Sequence, residues 1–377
     1  MNIKSLFLTT YALLGVTGLV FAEPTLKDAF KNEFLIGAAL NVSQFTGANA
    51  AESGFVKQQF DSISPENVLK WEVVHPQPGR FDFSLADRYV EFGEANHMFI
   101  IGHTLVWHNQ TPSWVFKKPD GSPVDPDTLL NCLSNHIFTV VGHYKGRIKG
   151  WDVVNEAVND DGTLRKSPWL KILGPDFLVK AYQFAHAADP QAELYYNDYS
   201  TEKEPKRSGA LALVRRLQAA GIHLTAVGIQ EHVRLDWPSP QLISDTITAF
   251  SKLGVKVNIT ELDVDVLPPA FRGNGADVSM NVAQRADLNP YPNGLPESVQ
   301  AALARRYAEL FAVYIKHHAE MERVTFWGVN DGDSWLNDWP VHGRTNYPLL
   351  FDRSGQPKPA FTSVLETIKQ VKMASTN

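Results

Sequence analysis

Cysteine is almost missing from this chain: Cys132 is the one example among 377 residues. A lone thiol excludes an internal disulfide, so stability must come from the apolar core. Cys132 lies among Leu129, Leu130 and Leu133 and reads as a small buried hydrophobe with no chemical role. Excess positive charge is also missing. Lys and Arg total 35 against 41 Asp and Glu, a net charge of −6, and no basic run stands out. That balance excludes a nucleic-acid footprint or a polybasic membrane patch. Long apolar runs are confined to the start, where Leu6 to Val20 follows Lys4 and ends in small residues at Ala22. The pattern is that of an export signal over residues 1–22, leaving 23–377 as the mature body. The run is short for a bilayer span and lacks a following basic stop. A secreted or periplasmic location is therefore expected, with no membrane attachment after cleavage. Ser/Thr/Pro linkers and appended modules are absent too, so one domain, acting as a monomer, is expected.

What the chain does have is a rhythm. Eight short apolar runs, "FLIGAAL", "SISPE", "FIIGHTLV", "KGWDVVNE", "ELYYNDY", "AVGIQEH", "KVNITELDV" and "VTFWGV", alternate with segments of helical period. Leu130, Leu133, Ile137, Val141 and Tyr144 form one 3.6-residue stripe; Ile243, Ile247, Phe250 and Leu253 form another; Val299, Leu303, Tyr307, Leu310 and Tyr314 a third. Ser84 with Asp87, and Ser239 with Pro240, look like helix starts, and Gly221 and Gly254 like helix stops. Strand followed by helix, eight times over, predicts a single (β/α)8 TIM barrel with its site at the C-terminal ends of the strands. An open doubly wound sheet is the alternative, but polar residues massed at the strand ends favour the barrel. A long Pro-, Gly- and Asn-rich loop, Leu267 to Pro296, follows the seventh strand and so belongs to the same face.

Those strand ends carry the chemistry. Glu66, Asn67 and Lys70 follow the second strand, and His103 and Trp107 belong to the third. Asn155 and Glu156 end the fourth, Gln230 and His232 the sixth, Glu261 and Asp263 the seventh, and Trp327 and Trp335 follow the eighth. Glutamates on strands four and seven of a barrel face each other across its mouth. Two such carboxyls can cleave a glycosidic bond, one giving a proton to the leaving oxygen while the other stabilises or attacks the anomeric carbon. Their environments must then differ. Glu261 is placed to be ionised, bonded by His232 with Asp263 orienting the ring, and Glu156 is left to hold its proton. Asn155 can reach a sugar 2-hydroxyl. Taken singly, a strand-end glutamate is more often solvated or paired than catalytic; the pair in this context reverses that.

Five motifs, "WDVVNEAVND", "VNITELDV", "GHTLVWHNQTP", "PENVLKWE" and "TFWGVNDGDSWL", make the chain similar to glycoside hydrolase family ten, the retaining endo-β-1,4-xylanases. They occur in order across nearly the whole mature chain. The resemblance implies a (β/α)8 barrel, xylan as substrate, Glu156 as general acid/base and Glu261 as nucleophile. It also implies that Glu66, Asn67, Lys70, His103, Trp107, Gln230, Trp327 and Trp335 line sugar subsites on the non-reducing side. One departure is Glu231, where the family usually carries a small or uncharged residue. Strand alternation should turn it away from Gln230 and His232, toward the barrel wall or a helix.

Blander roles remain for the rest. His103 and His108 lack metal-site spacing, and "NDGDSW" lacks the ligand pattern of a calcium loop. Metal and organic cofactors are not expected, since the carboxyl pair supplies both proton and nucleophile. His108 reads as structural, Trp151 and Trp169 as core, and Asp152 and Asp198 as buried partners of strand-end amides. Two other functions stay open: a β-1,4-glucan-cleaving enzyme on the same barrel, and a non-catalytic polysaccharide binder. Xylose lacks the C5 hydroxymethyl group, so whether Trp327 and Trp335 close that space separates the first. Turnover separates the second.

Overall fold

The computed structural model describes residues 24–270, 278 and 280–375. The expected export segment, 1–22, lies outside the described residues, as does part of the loop after the seventh strand. Among the described residues, no helix is long and apolar enough to cross a membrane.

Eight strands form a closed parallel ring: β1 (Leu35–Leu40), β2 (Ser62–Pro65), β3 (Phe99–Val106), β4 (Gly150–Asn155), β5 (Glu193–Asp198), β6 (Ala226–Ile229), β7 (Lys256–Asp265) and β8 (Met321–Phe326). Each pairs with the next, and β8 returns to β1, Ile36 opposite Val324. The open-sheet alternative is thereby excluded. The strands are largely apolar because both faces are covered, one by the barrel interior and one by helices; Arg323 and Thr325 of β8 are exceptions, buried in this setting. Ile101 of β3 sits in the interior with Tyr195 and Ala226, and the Arg323 guanidinium lies 5.3 Å from the Tyr195 ring. Two residues further along the same strands come His103 and Asn197. With a period of two, these belong to the next interior layer up, and that layer opens at the mouth. Gly102 is required between β3 and β4, because a Cβ there would overlap the Trp151 indole. Trp151 and Trp169 are both fully buried, as core residues should be.

The helical stripes face inward. Leu133, Ile137, Val141 and Tyr144 are buried on one helix, and Leu303, Tyr307, Leu310 and Tyr314 on another. Leu130 is only half-buried. Cys132 is half-buried as well, and burial pushes its thiol up to about 11, so it stays protonated. Ser239 caps its helix by accepting from the Leu242 N–H at 3.3 Å, with Pro240 in the first turn. Ser84 does not cap. It is the first helical residue and donates both its N–H and its hydroxyl to Asp82, at 3.1 and 2.7 Å. A carboxylate two residues earlier is the better acceptor, and it draws the serine away from the capping position.

The sixth strand also differs from the unbroken "AVGIQEH" run. It stops at Ile229, Glu231 takes φ 61, and extended pairing resumes at His232–Arg234 against Asp263–Asp265. The long loop docks where it was expected, its Val282 N–H donating to the Pro340 carbonyl beyond β8 at 2.7 Å.

Candidate active site

Glu156 follows β4 immediately, at φ 56, a backbone region that non-glycine residues occupy at a cost. Its N–H donates to Asn197 O of the neighbouring strand end at 2.8 Å. From behind, Arg165 Nε donates to the Glu156 carbonyl at 2.8 Å. The backbone is thus pinned from two sides, and the carboxyl turns into the barrel mouth. There Oε2 accepts from Trp107 Nε1 at 2.9 Å and Oε1 from Gln230 Nε2 at 3.0 Å. Asn155 Nδ2 stands 3.4 Å from Oε1, and His108 Nδ1 is 3.9 Å from Oε2. Burial is the main influence on this acid and raises its pKa; the Gln230 and Trp107 bonds oppose it, and the charges of Asp198 and Glu261 add to it. The net direction is upward, toward a protonated carboxyl.

Glu261 lies within β7 and its environment pushes the other way. Burial alone would raise it. The bond and charge of His232, the nearby His103 and the Asn197 amide together outweigh burial, and the pKa is lowered. His232 Nε2 is 3.0 Å from Glu261 Oε2, and its Nδ1 is 3.0 Å from Asp263 Oδ2. Although desolvation opposes charging the ring, Asp263 foremost and Glu261 after it push the imidazole up to about 10. His232 is therefore a cation at neutral pH, donating from both nitrogens. Trp335 Nε1 donates to the same Asp263 oxygen at 2.8 Å.

Every strand-end candidate lines one cleft of about 730 Å³: Glu66, Asn67, Lys70, His103, Trp107, Asn155, Glu156, Gln230, His232, Glu261, Asp263, Trp327 and Trp335. Lys70 Nζ donates to Asn67 Oδ1 at 3.0 Å and lies 5.1 Å from the Trp107 ring centre. His103 Nδ1 is 2.9 Å from the buried Asp152 carboxylate, and its ring meets Trp327 edge-on at 5.6 Å. Trp107 and Trp335 differ from simple sugar platforms, since each spends its indole N–H on an acidic residue of the site. Asp198 meets backbone amides as expected, Tyr199 N at 2.9 Å and Val158 N at 3.4 Å, and is also paired with Lys206 at 2.9 Å. Asp152 serves His103 instead. Trp169 is core, yet its Nε1 donates to the Trp107 carbonyl at 2.9 Å and so steadies the site from below.

A paired acid and carboxylate at opposite strands of a barrel mouth are what a glycosidase needs, and similarity to known proteins agrees. The model of glycosyl hydrolase family 10 matches residues 25–367. The chain belongs to that family. It is 44% identical to the endo-1,4-beta-xylanase A of Xylanibacter ruminicola over 354 residues, covering 94% of this chain and 96% of that protein. A beta-1,4-xylanase of Dictyoglomus thermophilum is 41% identical, with 91% of each chain covered. Among solved structures, a GH10 endoxylanase retrieved from sugarcane soil metagenome superposes with a TM-score of 0.88 at 44% identity, over 90% of this chain and 99% of that one.

Sequence reasoning missed several residues of this family-10 cleft. Asn197 is the most central: its Nδ2 donates to Glu261 Oε1 at 2.8 Å and to Asn155 Oδ1 at 2.9 Å, and Thr260 Oγ1 holds its carbonyl at 2.6 Å. The signal was present, since Asn197 stands at the polar end of the fifth apolar run. Tyr199, Arg234, Trp237, Trp339 and Arg344 also line the cleft, from the far ends of β5, β6 and the loop after β8. Trp339 stacks on Trp335 at 4.5 Å. Glu231 is absent from the cleft lining and 1% exposed, packed toward a helix as expected, though the left-handed kink at φ 61 and not strand alternation sets its direction.

Proposed function

We propose that this family-10 hydrolase is an endo-1,4-β-xylanase that cleaves internal xylosidic bonds of xylan by a retaining double displacement. The observation that carries the mechanism is two buried carboxyls in one cleft with contrasting partners: Glu156 is bonded by the neutral Gln230 and Asn155 amides and the Trp107 indole, and Glu261 by His232 and the Asn197 amide. The named relatives carry the choice of xylan.

In the first step the Glu261 carboxylate attacks the anomeric carbon, the bond to the leaving oxygen breaks, and Glu156 passes its proton to that oxygen. His232 keeps Glu261 ionised and Asp263 orients the ring; Asn155 is positioned toward the sugar 2-hydroxyl. Formation of the ester removes the negative charge of Glu261, one of the influences that keep Glu156 protonated. Glu156 is left as a carboxylate with a lower pKa, which suits it to take a proton from water while the water oxygen attacks the anomeric carbon. The ester bond breaks and both groups return to their starting states. The subsite roles of Glu66, Asn67, Lys70, His103, Trp107, Gln230, Trp327 and Trp335 belong to the same reading, with indole faces for sugar C–H surfaces and polar groups for hydroxyls. Residues 1–22 serve as an export signal in this reading, 23–377 form the mature catalytic domain, and the enzyme acts outside the cytoplasm as a monomer.

The test is the E261A variant assayed on xylan. Hydrolysis should vanish while oligosaccharide binding persists, and full activity would end the mechanism. NMR of the first product should show the β-anomer; the α-anomer would mean inversion. Initial rates on xylan and a soluble cellulose derivative judge the substrate, with equal or better rates on the glucan overturning it.

A further inference from the structure

Glu231 separates Gln230 and His232, the residues that bond Glu156 and Glu261 respectively. The backbone here is laced to β7, Gln230 O accepting from Glu261 N at 2.9 Å and Glu231 O from Asp263 N at 3.4 Å. At φ 61 the chain makes its kink on this residue, a conformation uncommon for a long side chain. Such a step persists only where the surroundings hold it. The Glu231 side chain is buried away from the cleft, against the Glu202 carboxyl of the loop after β5. Tyr314 and Arg306, from the helix Glu297–Lys316, stand beside it, and Lys203 and Lys206 lie on the Glu202 side. Tyr314 is fully buried, and Arg306 and Glu202 are each 2% exposed. Arg306 is already committed, donating to the carbonyls of Arg234 and Pro238. Lys206 is committed to Asp198.

Among the described residues, no N–H or O–H meets Glu231 Oε1, Glu231 Oε2 or Glu202 Oε2 in full hydrogen-bonding geometry, and the Tyr314 hydroxyl beside Glu231 is itself without a partner there. Two adjoining carboxyls in that setting cannot both be ionised. A proton on one of them supplies the missing donor and gives the other a strong charge-assisted partner. We propose that Glu231 is a positioning residue for hydrolysis: one proton shared between Glu231 and Glu202 tethers the Gln230–His232 segment to the loop after β5, holding Gln230 on Glu156 and His232 on Glu261. This rests on the reading of Glu156 and Glu261 given above.

The tether has a signature that a merely structural role would not give. Gln230 holds Glu156 down and His232 holds Glu261 down. Slackening both contacts moves both titrations the same way, so the acidic and the alkaline limbs of kcat/KM both shift to higher pH. In E231A, kcat on xylan should fall on the order of tenfold to a hundredfold, as displaced catalytic groups do, with KM little changed. E202A, which cuts the tether from the other side, should shift both limbs alike. E231Q, whose amide donates to Glu202 in place of the shared proton, should recover most of the lost kcat and the original profile. Wild-type kcat in E231A, or a loss with both limbs unmoved, overturns the proposal. A second arm needs no substrate and survives if the alanine variants do not fold. Unfolding releases the shared proton, because a free glutamate ionises above about 4.5 whereas the folded pair keeps it, so the wild-type melting temperature should fall more steeply than that of E231Q as pH rises above that value; parallel curves overturn the shared proton. Should E261A prove active, the reading of the cleft fails, and the melting curves still judge the tether.

Discussion

Asn197 Nδ2 lies 2.8 Å from Glu261 Oε1, while His232 holds the other oxygen of the same carboxylate at 3.0 Å. Asn197 is fully buried and its own carbonyl is fixed by Thr260, so its amide has little freedom to turn. A donor fixed in that way aligns the carboxylate without adding charge. Replacing it should leave Glu261 ionised through His232 but free to swing. A hydrogen bond to a charged group is worth roughly 1.5 to 3 kcal/mol, so N197A should lower kcat/KM on xylan by about one to two orders of magnitude. N197D places a like charge against Glu261 and should be the more damaging of the two. Steady-state kinetics on xylan compare them, and N197A at wild-type rate would remove Asn197 from the site.

His232 gives a prediction with a definite sign in pH. Asp263 is the largest of the influences that push its imidazole up to about 10 against desolvation, and the resulting cation keeps Glu261 below its ordinary value. In D263N the ring loses that support and its pKa drops. Glu261 then has a weaker cation beside it, and its pKa rises. The acidic limb of kcat/KM, where the nucleophile must be ionised, should move to higher pH. The alkaline limb, set by Glu156, should change little, in contrast to the paired shift expected of E231A. A D263N profile that moves first on its alkaline side would reverse the acid and nucleophile assignments.

The barrel and most of the cleft can be read in the sequence for one reason. Parallel strands covered on both faces are mostly apolar and gather polar residues at their C-terminal ends, so Asn155 and Glu156, or Glu261 and Asp263, stand out in the sequence. What resisted reading depends on contacts distant in sequence. The kink at Glu231 accompanies burial of its side chain beside Glu202 and the helix carrying Tyr314, contacts distant in sequence that no local pattern encodes. Asn197 shares its strand end with Asp198, and a neutral amide beside a carboxylate carries no charge signal of its own. Trp237, Trp339 and Arg344 come from irregular segments, and Arg234 from the three-residue extended piece His232–Arg234, all too short or irregular for a period to mark which side chains face the cleft. At Ser84 the failure was one of competition, since Asp82 was an acceptor in reach and the capping rule took no account of it.

Stability of the mouth depends on a second buried charge pair. Lys358 Nζ donates to both Asp331 oxygens, at 3.1 and 2.9 Å, and to the carbonyls of Tyr347 and Leu349, each at 2.8 Å. Asp331 belongs to the segment between Trp327 and Trp335, so this lysine ties the loop after β8 to the start of the last helix, at Pro359. Removing one partner of a buried pair leaves the other charge uncompensated, at a cost of about 3 to 5 kcal/mol. K358A should therefore lower the thermal midpoint substantially. K358A combined with D331N should recover part of the loss, because the uncompensated charge is gone. A single variant as stable as the parent in a urea or heat melt would show that the pair contributes nothing.

Glu156 can be tested apart from Glu261 through the leaving group. If it donates a proton to the departing oxygen, its removal matters only as much as that oxygen needs the proton. A sugar hydroxyl leaves poorly as an alkoxide, whereas a nitrophenolate leaves readily. General acid catalysis contributes about 10² to 10⁴ in rate, so E156A should lose that much on xylan. On a dinitrophenyl β-xyloside the first step should be nearly unaffected. The second step should slow, since the same residue must then draw a proton from water, and the glycosylated enzyme should accumulate. A burst of dinitrophenol followed by slow turnover, with the mass of one sugar added at Glu261, is the expected result. Equal losses on both substrates with no burst would mean that Glu156 acts on something other than the leaving oxygen. Trp107, Gln230 and Asn155 around it would then be the residues to reconsider, since their nitrogens lie 2.9, 3.0 and 3.4 Å from that carboxyl.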